Sequence, residues 1–482
     1  MYRNNMIIEM VKVNYWKVLL FSCIFIINVL LRDSVVSFAF TGIQVSIVLF
    51  YLLGNKIEDA VYWHFIFMAT SFAVSGIGEE AILKTGYFST KLVGPVTLSY
   101  VIGIILLMVS YSDKKKKIPV MLFSKMQKIF VYYLIAGVLI GGLGILLSDY
   151  FVNTFVGYSV YIVVVLIHIL ILKNLSNLSF IKRCFDAIIP LLIASLISTI
   201  FNWIAGIRSE YSIFEMTISS PVANFSILLV LFMAGMKVKE KTIIVGLLLL
   251  YLWVLIKTGA PGKFFLNVSV VGSVYIIKRT RQKGFGVIPI LGLLAVLFSF
   301  SSGLVVEDSL FSNKFNQFRS LGSVTSGSIE NVGSSPYIRV ASMLNIYNEN
   351  LKDPVYFTLG RGYGGYFEDN LHLFAGLDLS AGAFSDDAIR LGKYPTAHST
   401  FNLVPLFHGF IGLIILLILV YRYFERSIRS SPLSIVAVLW LLFMFYFNIQ
   451  IGIIGVFLSF ASEYEANLSD KKNVVLNGTV KK

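Results

Sequence analysis

The sequence predicts an all-α polytopic integral membrane protein with about 12 to 14 transmembrane helices and one large external loop subdomain containing short helices. Three observations predict it. Apolar runs of spanning length recur along a chain that is 57% hydrophobic and 14% charged, with mean hydropathy +0.80, far from the balance of a soluble domain. Lysine and arginine gather in alternate connecting segments. A single hydrophilic interruption, residues 305–397, breaks the apolar pattern.

The first apolar run, near 16–31, follows a short basic leader containing Arg3, Lys12 and Lys17. No small-residue cleavage site follows it, so it reads as an uncleaved anchor. Further runs fall near 35–53, 60–77, 92–111, 129–147, 154–172, 187–206, 221–236, 242–256, 264–277 and 285–304 before the insert, and near 399–421, 433–447 and 449–462 after it. The last two form one apolar stretch carrying Asn448 and Gln450 near its middle, read here as a short hairpin. With the N-terminus in the cytoplasm, the inner segments hold about 27 of the 40 Lys and Arg residues, as the positive-inside rule requires. The insert then faces away from the cytoplasm, beyond the reach of ATP and sugar nucleotides. Four regions result: membrane helices in 1–304, an external (periplasmic) subdomain in 305–397, C-terminal membrane helices in 398–462, and a basic cytoplasmic tail in 463–482.

The net charge of +14 is accounted for by this topology, with Lys114–Lys117 and the cluster Lys278, Arg279, Arg281 and Lys283 as orientation signals; no nucleic-acid partner is implied. Cys23 and Cys184 fall in or beside apolar runs, which leaves neither a disulfide framework nor a thiolate metal site.

Within the insert, Ser335–Pro336 forms a helix start, a capping hydroxyl followed by proline at the first helical position. Val340, Met343, Leu344, Tyr347 and Leu351 recur at helical spacing as an apolar stripe, and Asp353–Pro354 ends the helix. A short amphipathic helix lying on the membrane or on the bundle follows, with Arg339 in its first turn. The segment LGRGYGGYF, residues 359–367, reads as tight turns in which Gly362 and Gly364 let the backbone approach a ligand. His398 opens the next apolar run, where the positive end of the helix dipole favours a neutral imidazole able to accept a proton. Asn402, four residues on, shares its face and is placed to orient that ring. His372, inside the insert, is a second candidate for the same role, whereas His64, His168 and His408 lie within apolar runs and read as packing or hydrogen-bonded residues. The pairs Glu368–Asp369 and Asp386–Asp387 lack metal-ligand spacing and belong to a segment with ten acidic and seven basic residues. They read as solvated groups, so no metal and no cofactor is expected. Tyr363, Tyr366, Phe367 and Phe374 are candidates either for stacking on sugar rings or for the core of the insert.

The order of these pieces (an arginine on an external helix, Asp353–Pro354, Leu359–Gly360 with its glycine turn, and Ala397–His398 opening a span that continues to Gly409, Phe410, Ile411 and Gly412) resembles the bacterial O-antigen ligase and polymerase superfamily. The resemblance covers mainly residues 257–415. It departs from the family where Ser399 stands in place of a common asparagine, and where Lys257 and Lys263 stand in place of an arginine.

The resemblance implies an enzyme of the bacterial cytoplasmic (inner) membrane. It would join undecaprenyl-diphosphate-linked glycans on the external face, without metal or nucleotide, with membrane lipids and a chain-length regulator as candidate partners. Such a transfer needs cations for the diphosphate leaving group and a base for the acceptor hydroxyl. Arg339 and Arg361 can bind phosphate oxygens through paired hydrogen bonds, Lys263 can add a point charge, and His398 is the candidate base. A repeat-unit polymerase is the leading expectation. A ligase moving finished polymer to a lipid A core or another acceptor is the alternative, and a flippase is less favoured because such folds seldom carry a long external insert.

Overall fold

A computed structural model describes residues 13–31, 34–71, 86–88, 90–93, 96–112, 125–175, 178–211, 214–217, 221–233, 236–257, 271–272, 334–375, 377, 379, 384–397, 400–429, 434–443, 452 and 455–460. The expected runs at 264–277 (apart from 271–272) and 285–304, the start of the insert at 305–333, and the tail at 463–482 lie outside the described residues, as do His398 and Lys263.

The chain is a helical membrane protein. Among the described residues five helical segments are long and apolar enough to cross a membrane: Val35–Leu53, Lys128–Leu147, Val152–Asn174, Asp186–Ile204 and Thr400–Ile428. Two shorter apolar helices, α1 (Tyr15–Leu30) and α4 (Leu98–Ser112), accompany them.

Local chemistry sets several of the boundaries. Asn14 caps α1 by accepting from the Lys17 N–H at 3.1 Å, and Ser34 caps α2 (Val35–Leu53) through Ser37. Helix α3 (Ile57–Thr70) carries Glu58 and Asp59 in its first turn, where they complement the helix dipole. Asp59 also pairs with Arg183, whose guanidinium lies over the Tyr62 ring at 4.3 Å. Two long helices follow, α5 (Lys125–Leu147) and α6 (Val152–Asn174). The longest of this half is α7 (Leu178–Ile204), which contains Pro190 and packs against α1, the 3₁₀ segment Pro221–Leu228 and α9 (Val238–Lys257).

The run expected at 221–236 is not one α-helix. It begins as that 3₁₀ segment and becomes α-helical only over the four residues of α8 (Leu229–Phe232). Short antiparallel pairs, β1 (Lys91–Val93) with β2 (Val96–Thr97) and β3 (Arg208–Tyr211) with β4 (Phe214–Thr217), occupy the connections before α4 and after α7.

The insert contributes α10 (Ser334–Lys352), α11 (Pro354–Leu359), the two-residue strands β5 (Phe367–Glu368) and β6 (Lys393–Tyr394), and α12 (Asp386–Leu391). Helix α10 stops where Asp353–Pro354 predicts but starts at Ser334, one residue before the expected cap Ser335, which lies inside its first turn; Asp353 caps α11 by accepting from the Val355 and Tyr356 N–H groups.

Its buried face, however, is the opposite of the one its apolar stripe suggests. Ile338, Ala341, Ser342, Asn345, Ile346, Glu349 and Asn350 are buried, while Met343 is exposed and Leu351 is 69% exposed. The polar face turns inward because buried partners satisfy it. Of the apolar stripe, Met343 and Leu351 are exposed, while Val340, Leu344 and Tyr347 are partly buried.

Helix α13 (Thr400–Arg429) contains Pro405 and breaks at Gly409, whose φ of 64° and ψ of −163° are non-helical. An L residue with a side chain is strained there, so glycine sets the position of the break. Helix α14 (Ile435–Phe443) follows and packs on α13. Residues 444–450, with Asn448 and Gln450, lie outside the described residues.

Candidate functional site

The insert is threaded into the break in α13. In an unbroken helix the carbonyls of Pro405, Leu406 and Phe407 would accept from the N–H groups four residues on. Here the Pro405 carbonyl accepts from Asn350 Nδ2 at 3.1 Å, Leu406 from the Arg361 N–H at 2.8 Å and Phe407 from the Gly362 N–H at 2.8 Å. Three buried carbonyls that the kink leaves open are satisfied by α10 and by the glycine turn. The turn continues inward. Tyr363 donates its N–H to the Gly137 carbonyl on α5 at 3.1 Å, and the Gly364 carbonyl accepts from Phe151 at the start of α6 at 3.0 Å.

Gly362 has φ +70°, and a Cβ there would overlap the backbone of Gly141 on α5. Its permissiveness therefore serves a backbone-to-backbone approach. Gly364 similarly faces Phe151 and Phe155. Both glycines let the turn pack closely on the bundle, whereas the sequence pattern suggests an approach to a ligand.

Arg361 is 13% exposed and already engaged. Its Nη2 lies 2.7 Å from Glu349 Oε2, its Nη1 donates to the Tyr366 carbonyl at 2.6 Å, and its guanidinium lies over the Tyr356 ring at 4.4 Å. Glu349, 7% exposed, also accepts from the Glu368 N–H and from Asn370 Nδ2, both at 2.7 Å. Burial raises the Glu349 carboxyl above its ordinary value, opposed by the adjacent Arg361.

One helical turn earlier, Asn345 donates to Asp369 Oδ1 at 2.7 Å and accepts from the Leu371 N–H, while Asp369 also accepts from the Leu373 and Phe374 N–H groups. A polar strip of α10 thus holds residues 361–374 against the bundle. Sequence reading missed Glu349, Asn345 and Asn350. Their signal was present as polar residues at helical spacing on one face, beside a more conspicuous apolar stripe.

Arg339 is in a different state. It is half-buried near the start of α10; its Nε is buried without a hydrogen-bond partner, as is that of Arg361, but unlike Arg361 it forms no ion pair among the described residues. Its carbonyl accepts from Asn402 Nδ2 at 2.8 Å, which ties this part of α10 to the first turn of α13. Thr400, at the start of α13, has a buried hydroxyl that likewise lacks a partner. His398 precedes Thr400 by two residues in the chain. Among the described residues Arg339 thus has no carboxylate partner, and Thr400 offers a bare hydroxyl at the start of α13; both are groups suited to an anionic oxygen. Of the two described candidate cations, this environment leaves Arg339 available and engages Arg361 internally.

His372 is exposed with φ 54°, and its N–H donates to the Asp369 carbonyl at 3.0 Å. His408 is buried at the break in α13, stacked on Tyr133 with ring centroids 4.0 Å apart and 3.2 Å from the Tyr363 hydroxyl. Phe367, Phe374, Phe384 and Tyr394 are buried against one another. They form the apolar centre of the insert, each such ring contributing about 1.5–3 kcal/mol on burial. Tyr366 stays partly exposed, with Lys393 over its ring at 4.6 Å. Among the described residues no three His, Cys, Asp or Glu side chains group as metal ligands.

Asp149, just beyond α5, pairs with Lys393 and accepts from the Tyr366 hydroxyl at 3.2 Å. The Lys393 hydrogen bond, first among several causes, lowers the Asp149 carboxyl below 3.8, and Asp149 in turn raises Lys393 above 10.5. A depressed carboxylate stabilises the fold above its unfolded value and loses that contribution as pH falls through its folded one. Protection of the amides at residues 366–368, relative to their intrinsic exchange rates, is therefore expected to fall as acid protonates Asp149 in the native chain. In Lys393→Ala that protection should already be modestly lower at neutral pH, as loss of an exposed pair implies; equal protection in the two proteins would remove the tether.

In comparisons with known proteins, no family model, no curated protein and no solved structure matches this chain.

Proposed function

We propose that this chain is a polymerase of lipid-linked oligosaccharide repeat units. It would transfer a growing glycan from a lipid diphosphate to the hydroxyl of an incoming lipid-linked repeat at the external face of a bacterial cytoplasmic membrane. The observation that carries the reading is Arg339, which has no ion-pair partner among the described residues and whose carbonyl is tied through Asn402 to the first turn of α13, just after His398 in the chain.

On this reading Arg339 binds the diphosphate and stabilises the charge that develops as it leaves. His398 takes the proton of the acceptor hydroxyl as the new glycosidic bond forms and the bond to the lipid diphosphate breaks. Arg361 acts indirectly, since Glu349 already neutralises it. The O-antigen ligase and polymerase resemblance, carried by residues 257–415, supplies the substrate class. Engagement of Arg361 narrows the cation set to Arg339 with Lys263.

Purified protein in lipid nanodiscs, supplied with undecaprenyl-diphosphate-linked repeats and no nucleotide, is expected to lengthen them and release undecaprenyl diphosphate. Transfer only to a lipid A core would make the chain a ligase. Translocation without lengthening would make it a transporter and end the proposal.

A further inference from the structure

Away from this site, three ionisable side chains meet in the apolar interior. His64 on α3 is 0% exposed, His168 on α6 is 1% exposed, and Tyr87, in the connection between α3 and α4, is 0% exposed. His64 Nδ1 lies 2.7 Å from the Tyr87 hydroxyl, His64 Nε2 lies 3.0 Å from His168 Nε2, and His168 Nδ1 lies 2.8 Å from the Val164 carbonyl oxygen. Ionisable groups in such surroundings are costly to keep and mark function more often than packing.

The proton positions follow from the partners. A carbonyl only accepts, so His168 Nδ1 carries hydrogen and the Nε2 of the neutral ring is bare. His64 Nε2 must then donate to it, which leaves His64 Nδ1 bare to accept from the Tyr87 hydroxyl. The two rings are inclined by only 13° with centroids 5.2 Å apart. The shared hydrogen bond therefore runs nearly in line with both ring axes, the best geometry for sharing a proton.

We propose that His64, His168 and Tyr87 form a binding site for a single proton. The added proton settles on His64 Nδ1, and the Tyr87 oxygen, which has lone pairs to spare, turns from donor to acceptor. All three contacts survive, and the charge is shared between the imidazoles through the Nε2···Nε2 bond. A second proton is excluded, because it would set N–H against N–H at the 3.0 Å contact.

The side chains that face the trio are Phe67 of α3, 5.5 Å from the Tyr87 ring, and Phe457, 6.4 Å from the His168 ring, with Gly103 of α4 closing on His168. Among the described residues no carboxylate, lysine or arginine faces it. Among the described residues the titratable neighbours of each ring are thus the other ring and Tyr87, and occupancy of the site adds one charge to the trio. Because Tyr87 belongs to a connecting segment, proton binding also reverses the bond that ties that segment to α3. This site is independent of the proposed glycosyl transfer.

The test is a pH titration of ¹⁵N-histidine-labelled full-length protein in lipid nanodiscs, followed by NMR. The chain holds five histidines, so single His→Gln variants assign the signals. At alkaline pH His64 is expected as the Nε2–H tautomer and His168 as the Nδ1–H tautomer. On acidification one proton should enter the pair, moving both sets of ring signals at a common midpoint. Tyr87→Phe keeps the ring but lacks the accepting oxygen, and should weaken proton binding on the order of tenfold without changing either tautomer. Opposite tautomers, two separate protonations, a midpoint indifferent to Tyr87→Phe, or rings that stay neutral until tryptophan fluorescence reports unfolding would each overturn the site.

Discussion

Replacing Arg339 with alanine is expected to abolish glycan lengthening while leaving the protein inserted and folded. The guanidinium has no carboxylate partner among the described residues, and the contact joining its segment to α13 is made by its backbone carbonyl, which alanine retains. Stability should therefore change little. Turnover should fall by roughly 10²- to 10³-fold, the usual loss when one preorganised donor to developing negative charge is removed. Arg339→Lys should recover part of the rate, because a point charge replaces the paired geometry. His398→Ala should cost roughly 10²- to 10⁴-fold as the base is lost. Lengthening by the purified variants, read beside their thermal unfolding, decides the matter: full activity in either variant removes that residue from the mechanism.

The largest stability effect is expected at Glu349. Alanine there leaves the Arg361 guanidinium buried without its carboxylate and removes the acceptor for Glu368 and Asn370. Breaking a buried pair from one side typically costs about 3–5 kcal/mol. The disturbance lies beside the glycine turn that satisfies the broken carbonyls of α13, so it should spread into the membrane bundle. Glu349→Ala should unfold at lower denaturant and show rapid amide exchange across residues 360–374. A second change, Arg361→Met, removes the stranded charge and should restore much of the loss. If Glu349→Ala is as stable as the native protein, the pair does not anchor the insert; if the double variant is no better than the single, stranded charge is not the cause.

The contrast between Arg339 and Arg361 shows where sequence reading reached its limit. Both are arginines in the polar insert, each beside turn or capping residues, and nothing local distinguishes them. What separates them is Glu349, twelve residues before Arg361 in the chain and brought beside it by the turn after α11. Helix α10 teaches the same lesson in reverse. Its stop is legible and its start is legible to within a residue, because prolines and the capping Asp353 act within a few residues. Its orientation is not, because which face turns inward depends on partners supplied by Asp369, Asn370 and α13. Membrane-length helices at Val35–Leu53, Val152–Asn174 and Thr400–Ile428 are likewise legible from apolar length alone. The 3₁₀ start at Pro221–Leu228 is not, since apolar composition does not specify helix type.

By itself the sequence determined that this is a helical membrane protein with a polar insert and which apolar runs hold most of the described helices, with ends matched closely at Val35–Leu53 and displaced by several residues in α3, α4, α7 and α13. Those features follow from transfer of apolar side chains and from capping, both of which act locally. Only the tertiary structure decided that the insert plugs a break in α13, that Glu349 engages Arg361 while no carboxylate among the described residues engages Arg339, and that His64 and His168 share a hydrogen bond. Each of these rests on a pairing between distant residues, where a donor must find an acceptor in an interior without water, and no local pattern encodes which one it finds.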